Sequence, residues 1–216
     1  LTKNELDLQI IKMVDYQPSE PPGFGWPLLA RPWVNPSPNA ASLNMARCFA
    51  GTVLLEGTTL SEGRGTTTPL EVIGAPDWPI HEVINELERE APHVFAGALI
   101  RPTFFSPTFH KHAGRLCSGI QMHTDYPDYQ HSLFKPFRLI ASLLKATRQL
   151  LPNYELWRFH EYEYELDRTP IDVINGGPWL RTWIDDNEES YDNLDRELIK
   201  TASVWEAQRA PYLMYP

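Results

Sequence analysis

One stretch of this chain concentrates residue types that can do chemistry: Glu56-Gly57-Thr58-Thr59-Leu60-Ser61-Glu62-Gly63-Arg64-Gly65-Thr66-Thr67-Thr68-Pro69-Leu70-Glu71. Its glycines let the backbone turn sharply, and its threonines offer hydroxyls for local or ligand hydrogen bonds. Glu62 and Arg64 stand two residues apart on this turn, with Glu56 before them. A guanidinium can fork onto a carboxylate or phosphate, and a neighbouring carboxylate can orient that guanidinium or accept from sugar hydroxyls. The ordinary alternative is a solvated surface ion pair, worth about 0–1 kcal/mol. A phosphate-cradling P-loop is a poor match, because no Lys follows the glycines at the required spacing. The end of the stretch has a structural explanation of its own: Thr68 as N-cap, Pro69 at the first helical position and Glu71 closing a capping box.

A second constellation is Pro107-Thr108-Phe109-His110-Lys111-His112, followed by Cys117 and by His123. Lys111 is a candidate cation for an anionic ligand. In an extended segment His110 and His112 share a face, and His123 can be read as a third metal ligand or as one more hydrogen-bonding side chain. The spacing fits no zinc signature, and no metal or cofactor is expected. Cys48 and Cys117 form no CxxC pair, and two buried thiols are the simpler expectation.

These groups must be positioned by a chain of 216 residues, long enough for one large domain. With 42% hydrophobic residues it can bury a core. No apolar run approaches the roughly 18 residues of a membrane span. The formal charge of −9 disfavours a phosphate backbone, so no nucleic-acid partner is expected. The chain begins at Leu1, with no Met, basic segment or apolar stretch of a signal peptide, which reads as a piece excised or processed from something longer. Apolar spacing predicts a helix over 2–15. Seven prolines between Pro18 and Pro38, interleaved with Phe24, Trp26 and Trp33, then predict an extended, ordered arm. Helices are expected at 41–49, 69–73, 79–90, 133–151 and 194–208, and strands at 52–55, 95–105, 119–124 and 160–166. In the long 133–151 helix, Lys135, Arg138, Lys145 and Arg148 would take the polar positions. The irregular order of elements predicts an α+β fold, with a mixed sheet or partial barrel flanked by helices and preceded by the Pro-rich arm.

The run from Glu56 to Thr67, read with Pro36-Ser37-Pro38-Asn39 before it and Pro107–Lys111 after it, resembles the NamZ family of peptidoglycan exo-β-N-acetylmuramidases, formerly a domain of unknown function. The closing Pro211-Tyr212-Leu213-Met214-Tyr215-Pro216 is similar too, and the resemblance runs from about Pro32 onward. Members of that family join an N-terminal Rossmann-like half to a C-terminal α+β half around a cleft. The resemblance therefore implies that 1–216 is a single C-terminal domain, with helix and arm at 1–40 and an α+β body at 41–216. It implies a glycoside hydrolase that releases N-acetylmuramic acid from non-reducing ends, a missing Rossmann-like half as partner, and a periplasmic or secreted location. The family's catalytic glutamate is ascribed to a Glu-His-Gly motif of the N-terminal half, and no such motif occurs here. On this reading Glu62 and Glu56 are the catalytic candidates, and Arg64, Thr66, Thr67, Lys111, His123 and Asn39 the substrate-binding ones. Thr59, Thr68 and Leu70 depart from the family's usual Asn, Arg and Phe, and loss of that Arg leaves Arg64 and Lys111 to meet an anionic group. The alternative is a non-catalytic peptidoglycan- or sugar-binding module.

Overall fold

The longest apolar period in the sequence forms helix α3 (Pro136–Leu150), which opens on a proline whose missing N–H costs a first turn nothing. The computed structural model describes residues 7–19 and 32–215. Residues 139–147 of α3 are all buried, so the helix runs through the core rather than along its surface. Helices α1 (Leu43–Thr52), α2 (Ile80–Glu90) and α5 (Trp179–Asp185) pack around it. Lys145, expected on a polar face, is buried with the rest. Its ammonium donates to the carbonyls of Trp183 at 2.9 Å and Asp186 at 2.8 Å, capping the end of α5, and lies 4.6 Å from the Trp183 ring centre.

Beside the helices lies an open sheet of strands β1 (Val72–Ala75), β2 (Leu99–Phe105) and β3 (Cys117–His123) in the order β1-β3-β2. Both pairings are antiparallel, with Ile73 opposite Ile120 and Pro102 opposite Ile120. The α+β class is as expected. The sheet is open and antiparallel among the described residues, where a mixed sheet or partial barrel was expected. Pro102 sits on the edge strand β2, where its missing donor breaks no central ladder. Ile73, Ile120, Met122, Leu139 and Leu144 meet in the core between sheet and helices. Asn44 ties α1 to β3: its Nδ2 donates to Met122 O at 3.0 Å, and its Oδ1 accepts from Thr124 N and Oγ1, both at 2.6 Å.

The predicted elements at 79–90, 95–105, 119–124, 133–151 and 194–208 correspond to α2, β2, β3, α3 and α6 (Tyr191–Arg209), while that at 41–49 extends through Thr52 as α1. Three others do not form. The expected strand 52–55 is the end of α1 and a 3-10 turn over Val53–Gly57, which packs on α4 (Pro170–Ile174). The expected helix 69–73 is absent: Glu71 bonds the N-cap Ser42 of α1 instead of its own backbone, and Val72 starts β1. The expected strand 160–166 is a tight turn, with Tyr162 and Glu165 exchanging backbone hydrogen bonds and Glu163 at φ 54°.

The chain divides into two compact units, Trp33–Ile199 and Leu1–Pro32 with Lys200–Pro216. In the second, Lys12 Nζ donates to Met214 O at 3.0 Å and Met13 N to Tyr215 Oη at 2.8 Å. Residues 7–15 are not helical, and the remainder of the expected helix lies outside the described residues, as does the Pro-rich arm over 20–31. Among the described residues no helix is long and apolar enough to cross a membrane. Both cysteines are free and buried, and burial pushes the Cys48 thiol far above its ordinary pKa. Replacing Asn44 with Ala orphans buried backbone groups at about 1–3 kcal/mol each, so urea denaturation is expected to show a loss of about 3 kcal/mol.

Candidate substrate site

The 3-10 turn that follows α1 delivers Glu56, and the backbone then threads the glycine-rich loop. Ser61 and Gly74 exchange backbone hydrogen bonds at 2.7 and 3.0 Å, which fastens the loop to β1. Gly63 and Gly65 have φ of 75° and 87°, the left-handed region that costs a side chain roughly 1–2 kcal/mol. Space demands glycine as well: a Cβ on Gly63 would meet Val72 O at 2.5 Å, and one on Gly65 would meet Phe109 N at 2.7 Å. That close approach joins the two constellations read from the sequence. Gly65 O accepts from both Thr108 N and Thr108 Oγ1 at 2.9 Å. Thr66 serves the turn, donating from Oγ1 to Gly63 O at 2.7 Å and accepting from Thr68 N at 3.2 Å.

Lys111 arrives on a strained loop, since His110 and His112 on either side of it have φ of 68° and 58°. All three of its ammonium hydrogens are used, on Leu55 O at 2.6 Å, Leu60 O at 3.0 Å and Glu62 Oε2 at 2.9 Å. Glu62 is 0% exposed and receives further partners at its other oxygen: Arg64 Nε at 3.0 Å and His110 Nδ1 at 3.3 Å. Arg64, whose side chain is 23% exposed, also donates from Nη2 to Glu56 Oε1 at 2.6 Å. Glu56 Oε2 accepts from Tyr162 Oη at 2.7 Å. Glu56, Arg64, Glu62 and Lys111 thus form one continuous ion network.

Burial on its own would raise the pKa of Glu62, but the adjacent Lys111 ammonium, its hydrogen bond and the His110 charge outweigh it, and the net shift is downward. A lowered pKa favours the carboxylate form of Glu62, which faces the two cations Lys111 and Arg64. Burial also lowers the Lys111 pKa, with Glu62 opposing. The carboxylate left at the solvent edge is Glu56, 24% exposed.

A groove of about 740 Å³ adjoins the network, lined by Pro38, Asn39, Ala41, Gly65, Thr66, Thr67, Pro69, Phe105, Ser106, Thr108 and Phe109. It brings three of the expected substrate residues, Asn39, Thr66 and Thr67, together one residue from Arg64. Hydroxyl and amide groups beside proline and phenylalanine surfaces suit a sugar ring, which is polar at its rim and apolar on its faces. His123 lies elsewhere, at the end of β3 with Asp125 at 3.7 Å. The three histidines diverge: His110 turns to Glu62, His112 to Thr59 O at 2.8 Å and His123 to Asp125, and no group of metal-binding side chains occurs among the described residues. Tyr162, and with it Arg158 and His160, escaped the sequence reading. They lie about a hundred positions from Glu56, and the only signal was the alternation of Tyr and Glu after His160.

The C-terminal model of the exo-β-N-acetylmuramidase NamZ family matches residues 47–215. The chain belongs to the NamZ family. It is 34% identical to the peptidoglycan β-N-acetylmuramidase NamZ of Bacillus subtilis (strain 168), over 85% of this chain and 41% of that protein. Two crystal structures of DUF1343 family proteins from Bacteroides fragilis share the fold. One has a TM-score of 0.57 at 21% identity, covering 84% of this chain and 43% of its own; the other has a TM-score of 0.54 at 17% identity, covering 85% and 45%. This NamZ-family chain therefore spans less than half the length of the relatives it matches.

Removing one partner of a buried ion pair costs about 3–5 kcal/mol, so Glu62→Gln is expected to lose that much in urea denaturation at pH 7. Glu62→Gln with Lys111→Met, which removes both charges, should recover part of the loss. Because the folded-state pKa of Glu62 is depressed, its stabilisation is present above the unfolded carboxyl range and is lost as pH falls through the folded value. Denaturation midpoints followed from pH 7 to pH 3 should accordingly fall less steeply in Glu62→Gln than in the wild type.

Proposed function

We propose that this chain is the substrate-holding C-terminal half of a peptidoglycan glycosidase that releases N-acetylmuramic acid from the non-reducing ends of glycan fragments. Membership of the NamZ family supports the class of enzyme, and the β-N-acetylmuramidase activity of the Bacillus subtilis relative supports the sugar. The observation that carries the role is the Glu56–Arg64–Glu62–Lys111 network set beside the groove that holds Asn39, Thr66 and Thr67.

Glycoside hydrolysis uses an acid and a base or nucleophile on opposite sides of the scissile bond. In this network Glu62 is held as an anion out of solvent, and Glu56 is fixed by a guanidinium and a phenol. Glu62, with its pKa lowered, does not stand as the protonated acid that must serve the leaving oxygen. That division favours a supporting carboxylate from Glu56 and an acid supplied by the rest of the enzyme, the N-terminal Rossmann-like half. Arg64, with Nη1 making no hydrogen bond among the described residues, retains donors for the ring substituents of a bound sugar. A peptidoglycan substrate supports a periplasmic or secreted setting.

The 216-residue chain is expected to bind N-acetylmuramic acid in calorimetry while hydrolysing a chromogenic muramyl glycoside no faster than buffer. Hydrolysis by the chain alone at the rate of a full-length relative would overturn the division of labour. Absence of binding would overturn the substrate-holding role.

A further inference from the structure

The charges of the network cancel. Glu56 and Glu62 oppose Arg64 and Lys111, and the Lys111 ammonium has no hydrogen left to give. An anion arriving beside Glu56 gains little net attraction from these four groups, since each cation is shared with a carboxylate at hydrogen-bond distance. Selective capture of an anionic sugar at this edge therefore calls for a cation outside the network.

Arg158 fulfils that requirement. Its backbone N–H donates to Gly57 O at 3.1 Å, and the adjoining residues Thr58 and Trp157 form an antiparallel bridge, so it is held one residue from Glu56 across the pairing. Four residues later Tyr162 returns to the same carboxylate with its 2.7 Å hydrogen bond. Between these anchors the Arg158 side chain is partly exposed, and among the described residues its guanidinium makes no hydrogen bond and no ion pair. Glu155, Glu161 and Glu163 of the same segment do not pair with it either. Its charge reaches the neighbouring groups: at Lys111 and at His160, where burial is the first cause of a lowered pKa, Arg158 lowers it further. A guanidinium whose charge bears on a second cation, without a carboxylate of its own among the described residues, is unfavourable in the free chain, and an arriving anion relieves it.

We propose that Arg158 is the specificity residue of this site, taking the carboxylate of an acidic N-acetylhexosamine through a two-point guanidinium contact while Arg64 stays engaged with the two glutamates. The inference rests on the reading of the chain as the amino-sugar-holding half. It moves the anion contact from the glycine-rich loop to a segment about a hundred residues away.

The test is calorimetry of the 216-residue chain and its Arg158→Gln and Arg158→Lys variants with two ligands, N-acetylmuramic acid and N-acetylglucosamine, which lacks the lactyl carboxylate. Arg158→Gln is expected to weaken N-acetylmuramic acid about 10–100-fold, the range of a hydrogen bond to a charged group, and to leave N-acetylglucosamine unchanged. Arg158→Lys, which keeps the charge and loses the fork, should fall between. Thermal unfolding checks that the variants fold, as expected for a partly exposed side chain. Wild-type binding with unaltered affinity in Arg158→Gln would overturn the Arg158 assignment alone. A wild type that binds neither sugar would overturn the underlying reading as well.

Discussion

A fully buried carboxylate needs its charge answered from every side, and in this protein Glu62 imposes that condition on two stretches of chain. Taking such an ion out of water costs several kcal/mol, recovered only where partners meet it in good geometry. Lys111 and His110 come from the loop between β2 and β3, and Arg64 from the residue after next. The Glu62 carbonyl accepts from Leu70 N at 2.7 Å, so the loop is closed around the charge. The glycines at 63 and 65 let the backbone make that closure and leave room for the opposing loop. Positive φ at both neighbours of Lys111 is strain tolerated to bring the ammonium inward.

From this anchor the network extends outward with decreasing burial: Glu62, then Lys111 at 8% side-chain exposure, then Arg64 and Glu56, with Tyr162 bonded to the last. The inner members set geometry, and the outer ones reach solvent. Gly65, the residue after Arg64, lines the groove together with Thr66, Thr108 and Phe109. A rigid charged frame leaves little ordering to be done when any ligand binds beside it.

Much of the site was legible in residue types. Glycines and charged residues at close spacing in 56–67 marked the loop, and the resemblance to the NamZ family rested on the same residues. The strong apolar periods of α2 and α3 likewise located those helices. The failures share a physical cause, which is that long-range partners outbid local pattern. Thr68, Pro69 and Glu71 satisfy a capping-box pattern, yet Glu71 finds Ser42, and Val72–Ala75 gains more by pairing with β3. Lys145 looked like a surface position until the carbonyls at the end of α5 were there to receive it. Arg158 carries no local mark, and Tyr162 only the alternation of Tyr and Glu after His160, since their relation to Glu56 exists only after the chain has folded back on Gly57.

The ionisation state of Glu62 is where the account is most exposed. Selective carbon-13 labelling of glutamate side chains, with the Glu62 carboxyl resonance followed by NMR through an acid titration, measures it directly. The account predicts a midpoint below the ordinary glutamate value of about 4.3. A midpoint above that value would show that burial outweighs Lys111, Arg64 and His110, and would contradict the anionic frame on which the site is built.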